Sequence, residues 1–157
     1  MVRMSAGVSR RLAELGWKLP EVNPPKGVYT PAVANGCHVY VSGQIPMVGG
    51  QLAAVGRVGG EVSADQAQEL SRHCALAALA AAETVVGLDH VVRVVKVVGY
   101  VSSAEGFTGQ LGVVNGASEL FVALFGEAGQ HACSAVGVRD LPFGVPVEIE
   151  VLLEVAV

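Results

Sequence analysis

Charge is scarce in this sequence. Of its 157 residues, 15% are Asp, Glu, Lys or Arg, against 52% hydrophobic. So little charge on so small a surface points to surface hidden in an oligomer. The ten basic residues are scattered, none forms a run, and the net charge is −4. The basic footprint that displaces counterions from a nucleic acid is therefore missing, and no nucleic-acid partner is expected. Cysteine is rare and odd in number: Cys37, Cys74 and Cys133 fit neither a disulfide framework nor a zinc site. Free thiols in a reducing cytoplasm are expected, with no metal. Met1 to Gly16 contains Arg3, Arg10 and Arg11 but no apolar h-region, so no signal peptide is expected. The long Ala/Val runs are broken by charge before they reach membrane-spanning length. Internal repeats and low-complexity tails are absent too.

What is present suits one domain with a real core. Ser5 to Leu15 reads as a short helix, with Ser5 or Ser9 near its start and Gly16 at its end. Pro20, Pro24 and Pro25 make Lys18 to Lys26 an extended connector. Val28 to Val33 and His38 to Ser42 read as strands joined by an Asn35-Gly36 hairpin turn. Gln44 to Gly60 is Gly-rich loop with room for a short strand.

Ser63 to Val86 is a helix. It starts on a Ser63/Gln66 capping box and carries an apolar stripe from Ala67 to Val85, with Gly87 as its C-terminal cap. Val91 to Val101 is valine-rich and apolar on nearly both sides, as in a central strand. Ala104 to Phe125 reads as a second helix capped by Ser103, with Phe107, Leu111, Val114, Ser118, Phe121 and Phe125 inward. Ala132 to Arg139 and Pro146 to Val157 are the last strands, joined by the turn Leu141 to Gly144. In the final strand Val147, Ile149, Val151, Leu153 and Val155 face one way, and Glu148, Glu150 and Glu154 the other.

This order predicts an α+β protein, a mixed sheet with two helices on one face. The other sheet face is left uncovered. With much of Val91 to Val101 on it, that face is too apolar for water, and sheet-to-sheet association of subunits is the physical way to bury it.

Several segments fall in a known order. Gly27-Val28-Tyr29 precedes Pro31-Ala32-Val33. Val39-Tyr40-Val41-Ser42-Gly43-Gln44-Ile45-Pro46 follows. Later come Phe107 and Asn115, then Ala132-Cys133-Ser134, Leu141-Pro142 and Val147-Glu148-Ile149-Glu150. Together they resemble the RidA/YjgF family over roughly residues 27–157, with 1–26 an N-terminal extension. The resemblance implies a chorismate-mutase-like fold, a homotrimer with clefts between subunits, and no metal or organic cofactor. It also implies hydrolysis of enamine/imine intermediates such as 2-aminoacrylate to 2-keto acids and ammonia.

Carried over residue by residue, the resemblance makes Tyr29 a cleft-lining tyrosine and Ser42 and Gly43 the serine with its following amide. Asn115 becomes the helix asparagine near the cleft, and Glu148 the glutamate that positions or activates water. Glu148 and Ser42 are the candidate catalytic residues; Tyr29, Gly43, Asn115 and Cys133 are the candidate substrate-binding residues. Cys133 stands where the family has a carboxylate-clamping arginine. A guanidinium gives two parallel charge-assisted bonds, which a thiol cannot replace. At about 1.5–3 kcal/mol for such a bond, its loss weakens carboxylate binding on the order of a hundredfold.

Arg139, six residues on and roughly 20 Å away, is too far to substitute within one subunit. His131 is closer but offers no fork. Without a guanidinium nearby, Glu148 is expected to hold its proton more tightly than its family counterpart.

Each residue also has a plainer role. Tyr29 packs at a subunit boundary, Ser42 serves a turn or ladder, Asn115 braces a helix, Glu148 is a solvated strand charge and Cys133 fills vacated space. A reactive Cys133 thiol assisted by His131 is the sharper alternative. The expected function is small-metabolite binding in an inherited cleft, with imine hydrolysis weakened or lost. The alternative is a divergent enamine/imine deaminase acting on a different, uncharged substrate. An RNA-cleaving or translation-inhibiting role fits the acidic balance poorly.

Overall fold

A computed structural model describes residues 7–157. The expected Ser5 helix start therefore lies outside the described residues. Helix α1 runs Val8–Glu14 from Gly7, with Ser9 inside it, and the left-handed Gly16 follows its end. Val8 and Leu12, one turn apart, are buried in the core. The Ser9 amide donates to Asp89 (3.1 Å), and Arg11 Nε donates to the Ala123 carbonyl (3.2 Å). Trp17 packs on the core under the Arg72 guanidinium, 5.4 Å from the ring centroid. The extension thus shares the core of the domain.

Strand β1 (Ala32–Asn35) pairs antiparallel with β2 (His38–Gln44). The strand expected from Val28 begins only at Ala32. Lys26 to Tyr29 instead forms bends, with Val28 fully exposed. Pro31 has no N–H to give the ladder and serves it only as an acceptor, from the Ser42 amide at 2.9 Å. The hairpin turn sits one residue later than expected. Asn35 pairs with His38, so Gly36 and Cys37 form the loop, with Gly36 at φ 60°. A small hairpin, β3 (Met47–Val48) with β4 (Gln51–Leu52), occupies the Gly-rich segment.

Helix α2 (Ala64–Glu83) starts as read, the Ser63 hydroxyl accepting the Gln66 amide at 3.1 Å. It ends at Thr84, earlier than expected. Gly87 has extended φ/ψ and opens a short 3-10 turn, and Val85 is exposed. Helix α3 (Gln110–Phe125) starts six residues later than expected. Ser103 is not its cap: its hydroxyl lies 3.2 Å from Gln110 Nε2 and 2.8 Å from the Val101 carbonyl. Phe107 sits in the preceding turn, and Leu111 is exposed instead of inward. The helices cross closely. A Cβ on Gly116 would lie 2.9 Å from the Gln68 carbonyl carbon, and the buried Ser71 hydroxyl accepts from the Ala117 amide (3.0 Å), 2.7 Å from the Val113 carbonyl.

The main sheet runs β1-β2-β7-β5-β6, from β5 (Val91–Ser102), β6 (Ala132–Val138) and β7 (Val147–Val155). β5 and β6 are parallel and the other pairs antiparallel, so β6 and β7 flank β5 and are not hairpin partners. Helices α2 and α3 cover one face. Two register irregularities in β5 each add a residue, so Val91, Val94 and Val97 are buried at every third position, while Arg93 and Lys96 leave that side. The open face is therefore more mixed than expected: Val33, Tyr40, Val98, Tyr100, Leu152 and Val136 lie among Lys96, Glu148, Glu150 and Glu154. Helix α3 with its following turn has the length and apolarity of a membrane span, yet its apolar side is used against α2 and the sheet.

Candidate functional site

The β2–β7 register irregularity between Val41 and Gln44 places Gly43 against Glu148. A Cβ on Gly43 would lie 2.8 Å from the Glu148 carboxyl carbon. Only a glycine lets the carboxyl lie so close to the β2 backbone. The half-buried carboxyl is held above its ordinary pKa, first by burial and then by the nearby Glu150. This direction agrees with the sequence expectation, though its leading cause is desolvation.

Beside Glu148 is a cavity of about 270 Å³. Tyr29, Pro31, Gln44 and Ile45 line it on one side, Pro142 and Phe143 on another, and the connector Asn23 to Lys26 closes it. The Asn23 side-chain amide donates to the Ile45 carbonyl at 3.4 Å and fastens that connector. Phe143 is, among the described residues, the single non-glycine with positive φ, at 59°. Such backbone strain costs about 1–3 kcal/mol and gathers at ligand clamps. Here it sets an aromatic side chain at the cavity rim.

Three of the predicted site residues, Tyr29, Gly43 and Glu148, thus meet at one cavity. Ser42 does not line it. Its hydroxyl donates to the Thr30 carbonyl at 2.7 Å, which with its amide bond to Pro31 ties the Tyr29 segment to β2. Ser42 acts as a positioning residue, its proton committed to backbone.

Asn115 is exposed on α3 and is absent from the cavity lining. Cys133 pairs with Val97, whereas Glu148 pairs with Tyr100. Two strand spacings and three residues separate them, roughly 14 Å on the sheet. Cys133 also shares the side of Ala135, which packs toward the core, while Glu148 lies on the open side. Within one chain, Cys133 therefore lies apart from the cavity at Glu148.

The Cys133 thiol is pushed above its ordinary pKa by partial burial, with Lys96 pulling the other way. That disfavours a reactive thiolate. His131 is engaged elsewhere. Its Nδ1 is 2.6 Å from the Gly129 carbonyl, a pure acceptor, so the proton is assigned to Nδ1 and Nε2 accepts from the Ser118 hydroxyl at 2.9 Å. Arg139 is spent at the far end of β6, 3.5 Å from Asp140. The charged neighbours that sequence reading missed are Lys26 in the cavity and Lys96 near Cys133. The rigid Pro24-Pro25 step just before Lys26 was the available signal for the first; only the β5–β6 register reveals the second.

Residues 21–155 match the family described as Endoribonuclease L-PSP. The chain belongs to this family, the RidA/YjgF family. Protein TCP17 of Trypanosoma cruzi is 42% identical over 96% of this chain and 95% of its own length. The crystal structure of Atu1372 from Agrobacterium tumefaciens, a protein of unknown function, superposes with TM-score 0.89. It is 40% identical over 98% of this chain and 95% of that one. RidA from the Antarctic bacterium Psychrobacter sp. PAMC 21119 aligns at 28% identity over 86% of this chain and 94% of its own, with TM-score 0.60. The wider extent of the Atu1372 match takes in α1, which this RidA/YjgF family member packs into its core.

Proposed function

We propose that this RidA/YjgF family member is a cytoplasmic homotrimer whose inter-subunit clefts bind a small metabolite without metal or organic cofactor. The family's 2-aminoacrylate or imine hydrolysis is weakened or lost in it. The observation that carries this reading is a separation within one chain: Tyr29, Gly43 and Glu148 meet at one cavity, Cys133 lies some 14 Å from Glu148, and Asn115 is exposed on α3 outside the cavity. They line one cleft only if neighbouring subunits bring them together. The mixed apolar face around Tyr40, Val98 and Leu152 supplies the contact for such an assembly. Cys133 then stands in the cleft without a guanidinium, and a substrate carboxylate loses its two-pronged partner.

A divergent deaminase is the second reading, favoured by Glu148. A carboxyl that holds its proton to higher pH can protonate the imine nitrogen as water adds to the carbon; the carbinolamine so formed then expels ammonia as its C–N bond breaks and the carbonyl forms. RNA cleavage, the activity in the family's description, fits poorly with a site edged by Glu148 and Glu150 on a chain of net charge −4. The test has two parts. Sedimentation should give three chains per particle. Ammonia release from 2-aminoacrylate should be slow in wild type and rise in Cys133→Arg. Robust wild-type turnover would refute the loss of the familiar chemistry.

A further inference from the structure

The cavity beside Glu148 contains one cation, and nothing in the family comparison accounts for it. Lys26 and Glu148 are its charged lining residues. Among the described residues, Lys26 forms no ion pair. At the other charged lining residue, Glu148, burial and the nearby Glu150 make the carboxyl hold its proton more tightly. The connector is pre-set as well. Pro24 and Pro25 fix successive backbone angles, and Asn23 is fastened to Ile45. Holding Lys26 at the mouth therefore costs little chain entropy.

We propose that Lys26 is the anion-binding residue of this cavity and that the occupant is a small monocarboxylate with an apolar body. The carboxylate sits on Lys26, and the body lies against Tyr29 and Phe143. A second negative group is disfavoured, because Glu148, the other charged lining residue, already brings a carboxylate to the cavity. The Tyr29 and Phe143 side chains, both part-exposed when the cavity is empty, gain cover from such a ligand and shield the ion pair from water. Lysine presents a compact charge on a flexible stem without the arginine fork. Lys26 therefore accepts a carboxylate in several orientations, a different selection from the one a guanidinium on β6 would impose.

This proposal rests on the cavity being the binding site, and the experiment separates the two ideas. Phenylacetate and its neutral counterpart phenylacetamide are titrated into the full-length protein by calorimetry at low salt. Wild type, Lys26→Gln, Lys26→Arg and Tyr29→Ala are compared. Phenylacetate is expected to bind wild type more tightly than the amide, and Lys26→Gln to weaken it about five- to tenfold, because Lys26 is exposed and its charge partly screened. The amide should be indifferent to that change, and Lys26→Arg should keep most of the preference. Tyr29→Ala should weaken both probes. If Tyr29→Ala weakens phenylacetate while Lys26→Gln leaves it unchanged, the cavity stands and the role of Lys26 is overturned. If neither probe binds wild type at millimolar concentration, the cavity reading falls and the Lys26 proposal with it.

Discussion

Replacing Gly43 by alanine adds one methyl group to the β2 backbone where the Glu148 carboxyl rests. Gly43 is outside the positive-φ region, so alanine fits the backbone without strain. The new Cβ would sit 2.8 Å from the carboxyl carbon, and ordinary contact begins near 3.4 Å, so that carbon must withdraw by at least about 0.6 Å. The obstacle is the far end of a flexible side chain. The carboxyl can swing toward solvent, and the stability cost should stay within about 1 kcal/mol.

The chemical effect should be larger. Burial is the first cause of the raised Glu148 pKa, so a carboxyl moved outward loses much of it. A ¹³C carboxyl NMR titration should find Glu148 above its ordinary 4.5 in wild type and closer to it in Gly43→Ala, with the spectrum otherwise native. Where Glu148 acts on a bound ligand, a displacement approaching 1 Å costs up to roughly 10²-fold in rate. An ordinary or lowered Glu148 pKa in wild type, or a value unmoved by the added methyl, would refute the account of this site.

The same methyl elsewhere reads out the fold. On α3, Gly116→Ala meets the Gln68 backbone, which cannot step aside, and should cost about 3 kcal/mol, or roughly 6–12 °C in Tm. Gly112→Ala on the same helix meets nothing within 4 Å and should gain about 0.5–1 kcal/mol by helix propensity; shifts of equal sign in thermal unfolding would contradict the close crossing. Glu148→Gln tests linkage. A carboxyl whose folded pKa lies above 4.5 binds its proton more tightly in the native state, so wild-type stability declines as pH rises through that window. The variant should therefore be more stable than wild type at pH 7, and the advantage should vanish below the ordinary carboxylate range in pH-dependent melts. Alkylation of the native protein should label Cys133 slowly and spare Cys74, which is fully buried with its thiol pushed far up; fast labelling of Cys133 would revive the nucleophile reading.

Periodicity and local chemistry made much of this molecule legible in the sequence. Ser63 and Gln66 announced the start of α2, and alternation in Val147 to Val155 sorted the glutamates from the core side of β7. The family motifs pointed to Tyr29, Gly43 and Glu148, which meet at one cavity. Those features depend on neighbours close in the chain or on a side-chain period of two or 3.6, which a sequence carries directly. Tertiary structure decided the rest. The register through β5 set Cys133 and Glu148 apart, and two added residues turned Arg93 and Lys96 off the helix side. Helix α3 starts at Gln110, and its crossing of α2 at Gly116 leaves Leu111 and Asn115 outside. The connector brought Lys26 to a glutamate more than a hundred residues away in sequence. Such placements follow from packing and ladder register between distant segments, and no local pattern records them.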